Sequence, residues 1–453
     1  MKIDFKNEVL KRKKEFLHDL ETIIKINSEL TTYDPKRVGA PFGEGNKLVL
    51  DAMLNIGKKD GFNVLNVDGF AGHIEYGNQK EFVAILGHLD VVPAGNDWTY
   101  PPYELTNVDG KIYGRGVEDD KGPTLAAYYA MKILKELNVP LSKRIKLIVG
   151  VDEESGSRCM QHYLKRHPEV PVSGFVPDAD FPLIYAEKGI TRVDISGYFV
   201  DDLILSMDAG LRSNMVPDQV KVVLKGNLVD KIKSENKNLE PKLENGNTIL
   251  IVSGKSAHGS TPELGVNAVF NFVKLAQKIG LNSNLLQLLD KYFVDDTKGH
   301  KLGINITCPE TGHLSENLGI LKYNGKELVI TLDIRYPKGI THLEIRDLIN
   351  LKVEEYKLSV TKQTNSDMLY VSPDSKLVKT LLNSYIKHSG DKDAKPIVIG
   401  GGTYARSIPN VVAFGPHFPG RPSFIHQRDE YVLLDDLLTA TIIYLEALYE
   451  LAK

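Results

Sequence analysis

A short apolar run, Phe82-Val83-Ala84-Ile85-Leu86, leads straight into Gly87-His88-Leu89-Asp90, and a second, Ile145 to Val151, leads into Asp152-Glu153-Glu154-Ser155-Gly156. Runs of this length and β-branched content read as strands buried on both faces. Between them the glycine-flanked stretch Gly114-Arg115-Gly116-Val117-Glu118-Asp119-Asp120-Lys121-Gly122-Pro123 opens a helical pattern over Thr124–Leu137. Strand, helix, strand, with polar groups just past the strand ends, constrains the chain to an open α/β sheet that gathers its chemistry at the carboxyl edge. A glycine loop before a helix can also cradle phosphate, but acids where the anion would sit favour a cation.

The rest of the chain falls into three textures. Ahead of the first strand, Val9 to Ile26 carries an apolar stripe at helical spacing, with Lys11-Arg12-Lys13-Lys14 on the wet face. From about Lys188 the pattern changes to alternating strands at Val220–Leu224, Thr248–Val252 and Leu328–Arg335. A helix is expected from about Pro262, and Ser234–Glu244 is expected to be an exposed polar loop. Strand-helix texture returns with a helix at Ser375–Lys387, strands at Ile397–Ile399 and Val411–Phe414, and a closing helix at Leu433–Leu451. The expected fold class is α/β, a catalytic domain with a mostly parallel sheet flanked by helices. The expected domains are 1–187 with 369–453, interrupted by an inserted α+β lid domain of residues 188–368.

Composition narrows the function classes. A net charge of −3 across 453 residues gives no electrostatic case for nucleic acid or an anionic membrane. The cysteines, Cys159 and Cys308, show no Cys-x-x-Cys spacing, so neither a disulfide framework nor a thiolate zinc site is indicated. The start of the chain, Met1-Lys2-Ile3-Asp4-Phe5-Lys6-Asn7-Glu8, has charges where a signal peptide needs an apolar core, and no apolar run approaches a membrane span of about 20 residues. A soluble cytoplasmic protein is expected.

The acids and histidines at strand ends and loops of the α/β portions are His88, Asp119, Glu153 or Glu154, Asp178 and His426. Imidazoles mixed with carboxylates and no thiolates suit catalytic zinc, manganese or cobalt better than structural zinc. The set exceeds what one tetrahedral ion uses, so two ions sharing a carboxylate is the simplest arrangement. Asp90, two residues from His88, is placed to fix that imidazole's tautomer. Adjacent Glu153 and Glu154 leave the chain in different directions, so one can ligate while the other faces a water.

Taken in order, His88-Leu89-Asp90-Val91-Val92-Pro93, Gly114-Arg115-Gly116 through Gly122, Asp152-Glu153-Glu154-Ser155-Gly156, Pro177-Asp178-Ala179 and His426-Gln427 with Asp429-Glu430 resemble the co-catalytic metallopeptidases that include aminoacylase, carboxypeptidase G and succinyl-diaminopimelate desuccinylase. Asn214-Met215-Val216-Pro217, Asp333-Ile334-Arg335-Tyr336-Pro337, Gly400-Gly401-Gly402-Thr403-Tyr404-Ala405-Arg406 and Phe414-Gly415-Pro416 are similar to the bacterial Xaa-His dipeptidase (carnosinase-like) branch.

The resemblance implies a metallo-dipeptidase acting on unblocked dipeptides, with a metal-bridged water and Glu153 as general base. Asp119 would bridge two divalent ions, zinc first and manganese or cobalt as alternatives. His88 and Asp178 would complete one site, Glu154 and His426 the other, and Asp90 would orient His88. On the lid, His258 would polarise the scissile carbonyl, while Asn214 and Arg335 would grip substrate, Arg335 by pairing the substrate's free C-terminal carboxylate; a surface cation is the alternative for Arg335. Gly402 and Thr403 are expected to contact substrate. Asp180 is a rival ligand to Asp178, and Gly312–Gly319 fits the family pattern only loosely. The resemblance implies a monomer, with a homodimer as the alternative. The rival activity is N-acyl-amino-acid deacylation or desuccinylation with the same metal site.

Overall fold

The computed structural model describes residues 3–453, and Met1 and Lys2 of the charged N-terminal stretch lie outside them. The chain divides into two compact units. One holds the residues up to Ala186 together with Leu369–Ile397 and Gly402–Lys453; the other holds Glu187–Met368 and Val398–Gly401. The short stretch Val398–Gly401 therefore groups with the middle of the chain rather than with the residues that flank it.

In the first unit, four neighbouring strands run parallel: Arg144–Gly150, Phe82–His88, Ser173–Val176 and Val411–Ala413. Antiparallel strands Ala71–Tyr76 and Asn63–Val67 extend one margin. Every residue of Phe82–His88 is buried, as a strand covered on both faces requires. The helix Lys121–Glu136 packs on this strand and on the closing helix Leu434–Ala452. At Gly87 a Cβ would lie 1.9 Å from Thr124 Oγ1, so strand and helix can approach this closely only without a side chain there. Asp109 (φ 51°) and Gly110 (φ 80°) form the turn joining Thr106–Val108 to Lys111–Tyr113, the left-handed pair a tight hairpin needs.

The expected single N-terminal helix is two, Phe5–Lys11 and Lys13–Ile24, broken at Arg12. Arg12 is not part of a solvated face: its guanidinium turns inward to Glu8 (2.9 Å) and Glu136 (2.6 Å), and that pairing fixes the break.

The second unit is built on an antiparallel sheet in the spatial order Lys242–Glu244, Asn247–Ser253, Gln219–Leu224, Ile204–Ala209, Ser315–Tyr323, Glu327–Tyr336, Gly189–Tyr198, Ser359–Ser366. Its alternating residues Leu328, Ile330, Leu332 and Ile334 enter a core shared with the helices Ala268–Lys278, Asn284–Tyr292 and His342–Val353. The expected loop at Ser234–Glu244 instead contains the end of a helix, Val229–Glu235, anchored by buried Ile232, and the edge strand Lys242–Glu244. After Pro262 there is only a single 3-10 turn; the helix begins at Ala268, capped by the Asn267 side chain. No helix among the described residues is long and apolar enough to cross a membrane.

Candidate metal centre

The parallel strands of the first unit deliver their polar residues to one place. His88 ends its strand with only 1% exposure, and its Nε2 lies 2.9 Å from Asp119 Oδ1 and 3.7 Å from Asp178 Oδ2. Asp119 presents its other oxygen, Oδ2, to His426 Nε2 at 3.1 Å, and the same nitrogen lies 2.9 Å from Glu154 Oε1. The Asp119 carboxylate thus stands between two imidazoles, one oxygen to each. His426 adopts φ 61°, a left-handed conformation uncommon for a residue with a side chain, and such strain is often held at functional positions.

The electrostatics follow from this crowding. Burial alone would raise Asp119, but hydrogen bonds from His426 and His88 outweigh it and hold the carboxyl far below the usual carboxylate range. His88 is likewise opposed by burial yet held well above the ordinary histidine value by Asp119 and Asp90. His426 is pushed up to about 10 by Asp119 and Glu154. Fixed negative charge at the cluster therefore favours a cation, and protons on the imidazoles supply that charge in its place.

The donor set fits a divalent metal. Ligand atoms of His88, Asp119 and Glu154 all lie within 4.8 Å of one another. Two donors each about 2.1 Å from a zinc ion sit roughly 3.4 Å apart in tetrahedral geometry. The separations of 2.9 Å for His88 and Asp119, 3.7 Å for His88 and Asp178, and 2.9 Å for Glu154 and His426 bracket that value. Asp180, the rival to Asp178, is engaged elsewhere, with its Oδ1 2.9 Å from His417 Nδ1.

The support behind the cluster was only partly readable from sequence. His88 Nδ1 bonds the main-chain carbonyl of Asp90 at 3.0 Å, with the Asp90 carboxylate farther off at 3.4 Å. That carboxylate accepts from the backbone N–H groups of Glu153 (3.0 Å) and Glu154 (3.1 Å) instead. Asp90 therefore orients His88 mainly through its backbone, and its side chain shapes the turn carrying both glutamates. Burial holds the Glu153 carboxyl well above the usual range. Asp120 accepts from His88 N (3.1 Å) and Thr124 Oγ1 (2.8 Å), fixing the strand end.

Glu430 is the further supporting residue that sequence reasoning left without a role. Fully buried, it pairs with Arg115 Nη1 at 2.6 Å while its Oε1 accepts from the N–H groups of Gly116 (3.0 Å), Glu118 (2.9 Å) and Asp119 (3.2 Å). One carboxylate thus ties the segment after His426 to the loop bearing Asp119. Its place directly after Asp429 in the His426 motif was the available signal.

The remaining expected residues are not among the donors of this cluster. Thr403 uses its hydroxyl to cap the short 3-10 turn Tyr404–Ser407, accepting from Ala405 N at 3.1 Å. At Gly402 a Cβ would meet the Arg406 guanidinium at 2.6 Å, the mobile end of a side chain that can move aside. Tyr404 is fully buried beside the His88 ring, 6.2 Å between centroids, with its hydroxyl 2.9 Å from Cys159 Sγ.

His258, Asn214 and Arg335 belong to the second unit. Asn214 and His258 share one loop pair, in which Gly259 N donates to Asn214 O at 2.7 Å, and His258 Nδ1 lies 2.7 Å from Ser260 Oγ. Arg335 is 3% exposed, which rules out a surface cation. Its guanidinium bonds both Asp333 oxygens, at 2.5 and 3.3 Å, and Gly400 O at 2.8 Å.

The chain matches the model of peptidase family M20/M25/M40 over residues 84–450. It is 42% identical over 466 residues to "Putative dipeptidase YtjP" of Bacillus subtilis, covering 98% of this chain and 99% of that protein. Among solved structures, human carnosine dipeptidase 1 superposes with a TM-score of 0.57 at 16% identity, covering 98% of each chain. An M20 family metallo-carboxypeptidase, Sso-CP2 of Sulfolobus solfataricus, gives 0.59 at 19%, covering 96% of this chain and 98% of that one. Those two likenesses speak for the fold, whereas the family match and the near full-length identity settle kinship: the chain belongs to peptidase family M20/M25/M40 and is a peptide-bond hydrolase.

Proposed function

We propose that the protein is a metal-dependent dipeptidase acting on unblocked dipeptides. The observation that carries this reading is the Asp119 carboxylate set between His88 and His426, with Glu154 and Asp178 completing two groups of donors. The similarity to a Bacillus protein named as a dipeptidase supports the substrate class. Two divalent ions held there, zinc by preference and manganese or cobalt as alternatives, supply Lewis acidity to a water and to the scissile carbonyl.

The chain's own residues do the rest. Glu153, held by the Asp90-capped turn and raised by burial, takes the proton of the attacking water and returns it to the leaving amine. Asp90 keeps the His88 ring and the two glutamates in register. The proposal assigns His258 to the carbonyl oxygen in the transition state and Asn214 and Arg335 to substrate binding, with Arg335 placed by Asp333.

The test compares dipeptides with N-acetyl and N-succinyl amino acids on the metal-loaded enzyme. Turnover of the free dipeptides supports the reading; turnover of the acylated set alone replaces it with a deacylase. Glu153→Gln should lower hydrolysis on the order of 10²–10⁴-fold with metal content unchanged. Retained activity would remove Glu153 from the role of base. The same reading has a cytoplasmic monomer as the working unit; sedimentation of the purified enzyme checks the monomer and cell fractionation the location.

A further inference from the structure

The second unit contains a pocket of about 310 Å³ that the peptidase reading leaves unexplained. Its walls include Val216, Phe270 and Leu318, and Glu316 stands among them at 2% exposure. The Glu316 Oε2 atom is buried without a hydrogen-bond partner among the described residues, packed against the Gly299 backbone, where a Cβ would lie 3.3 Å away. Buried carboxyls are normally paired, so an unpartnered oxygen on a pocket-lining residue marks a group that a small turn of the side chain offers to a cation in the pocket. We propose that this pocket binds a small primary amine, its ammonium meeting Glu316 and its hydrocarbon part lying on Val216, Phe270 and Leu318.

Size and charge select that ligand. A single water needs only about 10–15 Å³ of such space, so the pocket has room for an organic molecule. The neighbouring cations are engaged: Lys274 pairs with Asp295 at 2.6 Å, and Lys301 Nζ donates to Asp290 O (2.7 Å) and Val294 O (2.6 Å). A bare divalent ion is disfavoured, because pocket-lining Asp295 is paired with Lys274 and Asp296 already accepts from Lys298 N (3.0 Å) and Lys301 N (2.6 Å). Burial, reinforced by the charge of Asp296, pushes the Glu316 carboxyl well above its ordinary value. An incoming ammonium relieves both penalties, while an anion would worsen them. Glu263 and Asp295 also line the pocket, Asp295 paired with Lys274, so its acids favour a cation while Val216, Phe270 and Leu318 suit that cation's hydrocarbon part.

The position gives the site a reason to exist. Val216 N donates to Ala257 O at 2.9 Å, and Thr261 N to His258 O at 3.0 Å, just before pocket-lining Pro262. The loops carrying Asn214 and His258 therefore form part of the pocket's frame.

The probe is n-butylamine, titrated calorimetrically into the metal-loaded enzyme, with n-butanol as the uncharged control. Saturable millimolar binding of the amine is expected, at least tenfold weaker in Glu316→Gln, with n-butanol binding both proteins equally poorly. Glu316→Asp keeps the charge but shortens its reach, and should bind with intermediate affinity. Glu316→Gln should keep its native circular dichroism and its peptidase rate in the absence of amine. Absence of amine binding, or equal binding by wild type and Glu316→Gln, overturns the proposal. The second result would place the amine at the metal centre instead.

Discussion

Glu430 and Glu316 are the same residue type at nearly the same burial, 0% and 2% exposed, in different units of the chain. Glu430 has a partner for each oxygen: Arg115 on one, three backbone N–H groups on the other. Burial raises it to about 7, with Arg115 pulling the other way. Glu316 Oε2 has no hydrogen-bond partner among the described residues, and the charge of Lys301 pulls against its burial and Asp296. A buried acid with partners fixes backbone, here the loop that presents Asp119. One without them is held available, and its desolvation cost persists until something binds.

The largest effect that could break this contrast comes from Glu430→Ala. Removing it strands a buried guanidinium and three loop donors, which should cost about 3–5 kcal/mol of stability. Metal affinity should fall along with it, because the Asp119 backbone loses its anchor. Denaturant unfolding and competition with a chromophoric chelator measure the two effects. If Glu430→Ala and Glu316→Ala destabilise equally, pairing is not what separates these acids.

Asp90→Asn sharpens the contrast on a smaller scale. The carboxylate accepts from Glu153 N and Glu154 N at once, and an amide offers only one accepting oxygen. Loss of one bond at the turn should weaken metal binding roughly 10–100-fold, the usual cost of disturbing groups behind a ligand. Unchanged affinity would mean that the Asp90 carbonyl on His88 Nδ1 suffices.

Local pattern made the strand ends legible, since His88 closes a fully buried strand and the Asp152-Glu153-Glu154 turn follows another. Whatever depended on distant partners was hidden. Arg115 and Glu430 are 315 positions apart, so no window of sequence shows that they meet. Arg335 alternates along a strand as a surface residue would, yet Asp333 and Gly400 bury it. Polar composition hid the helix Val229–Glu235 because a single apolar contact, Ile232, holds it down. The sequence favoured Asp178 over its rival Asp180, and only the fold shows Asp180 engaged by His417, from much later in the chain.

The smallest expected effect concerns pH and isolates Glu316. Its folded value is raised above the ordinary 4.5 by burial and by Asp296, with Lys301 opposing. Between those two values the folded chain holds a proton that the unfolded chain has released. Stability from this group is therefore full below that ordinary value and is lost as pH rises through the folded one. Glu316→Gln cannot ionise, so the difference in unfolding free energy between wild type and variant should shift in the variant's favour as pH rises above the ordinary carboxylate range. Saturating n-butylamine should flatten that slope in wild type and leave the variant unmoved, because an ammonium partner stabilises the ionised carboxylate in the fold. A difference independent of pH would show that Glu316 finds a partner in solution, and the contrast with Glu430 would be one of degree only.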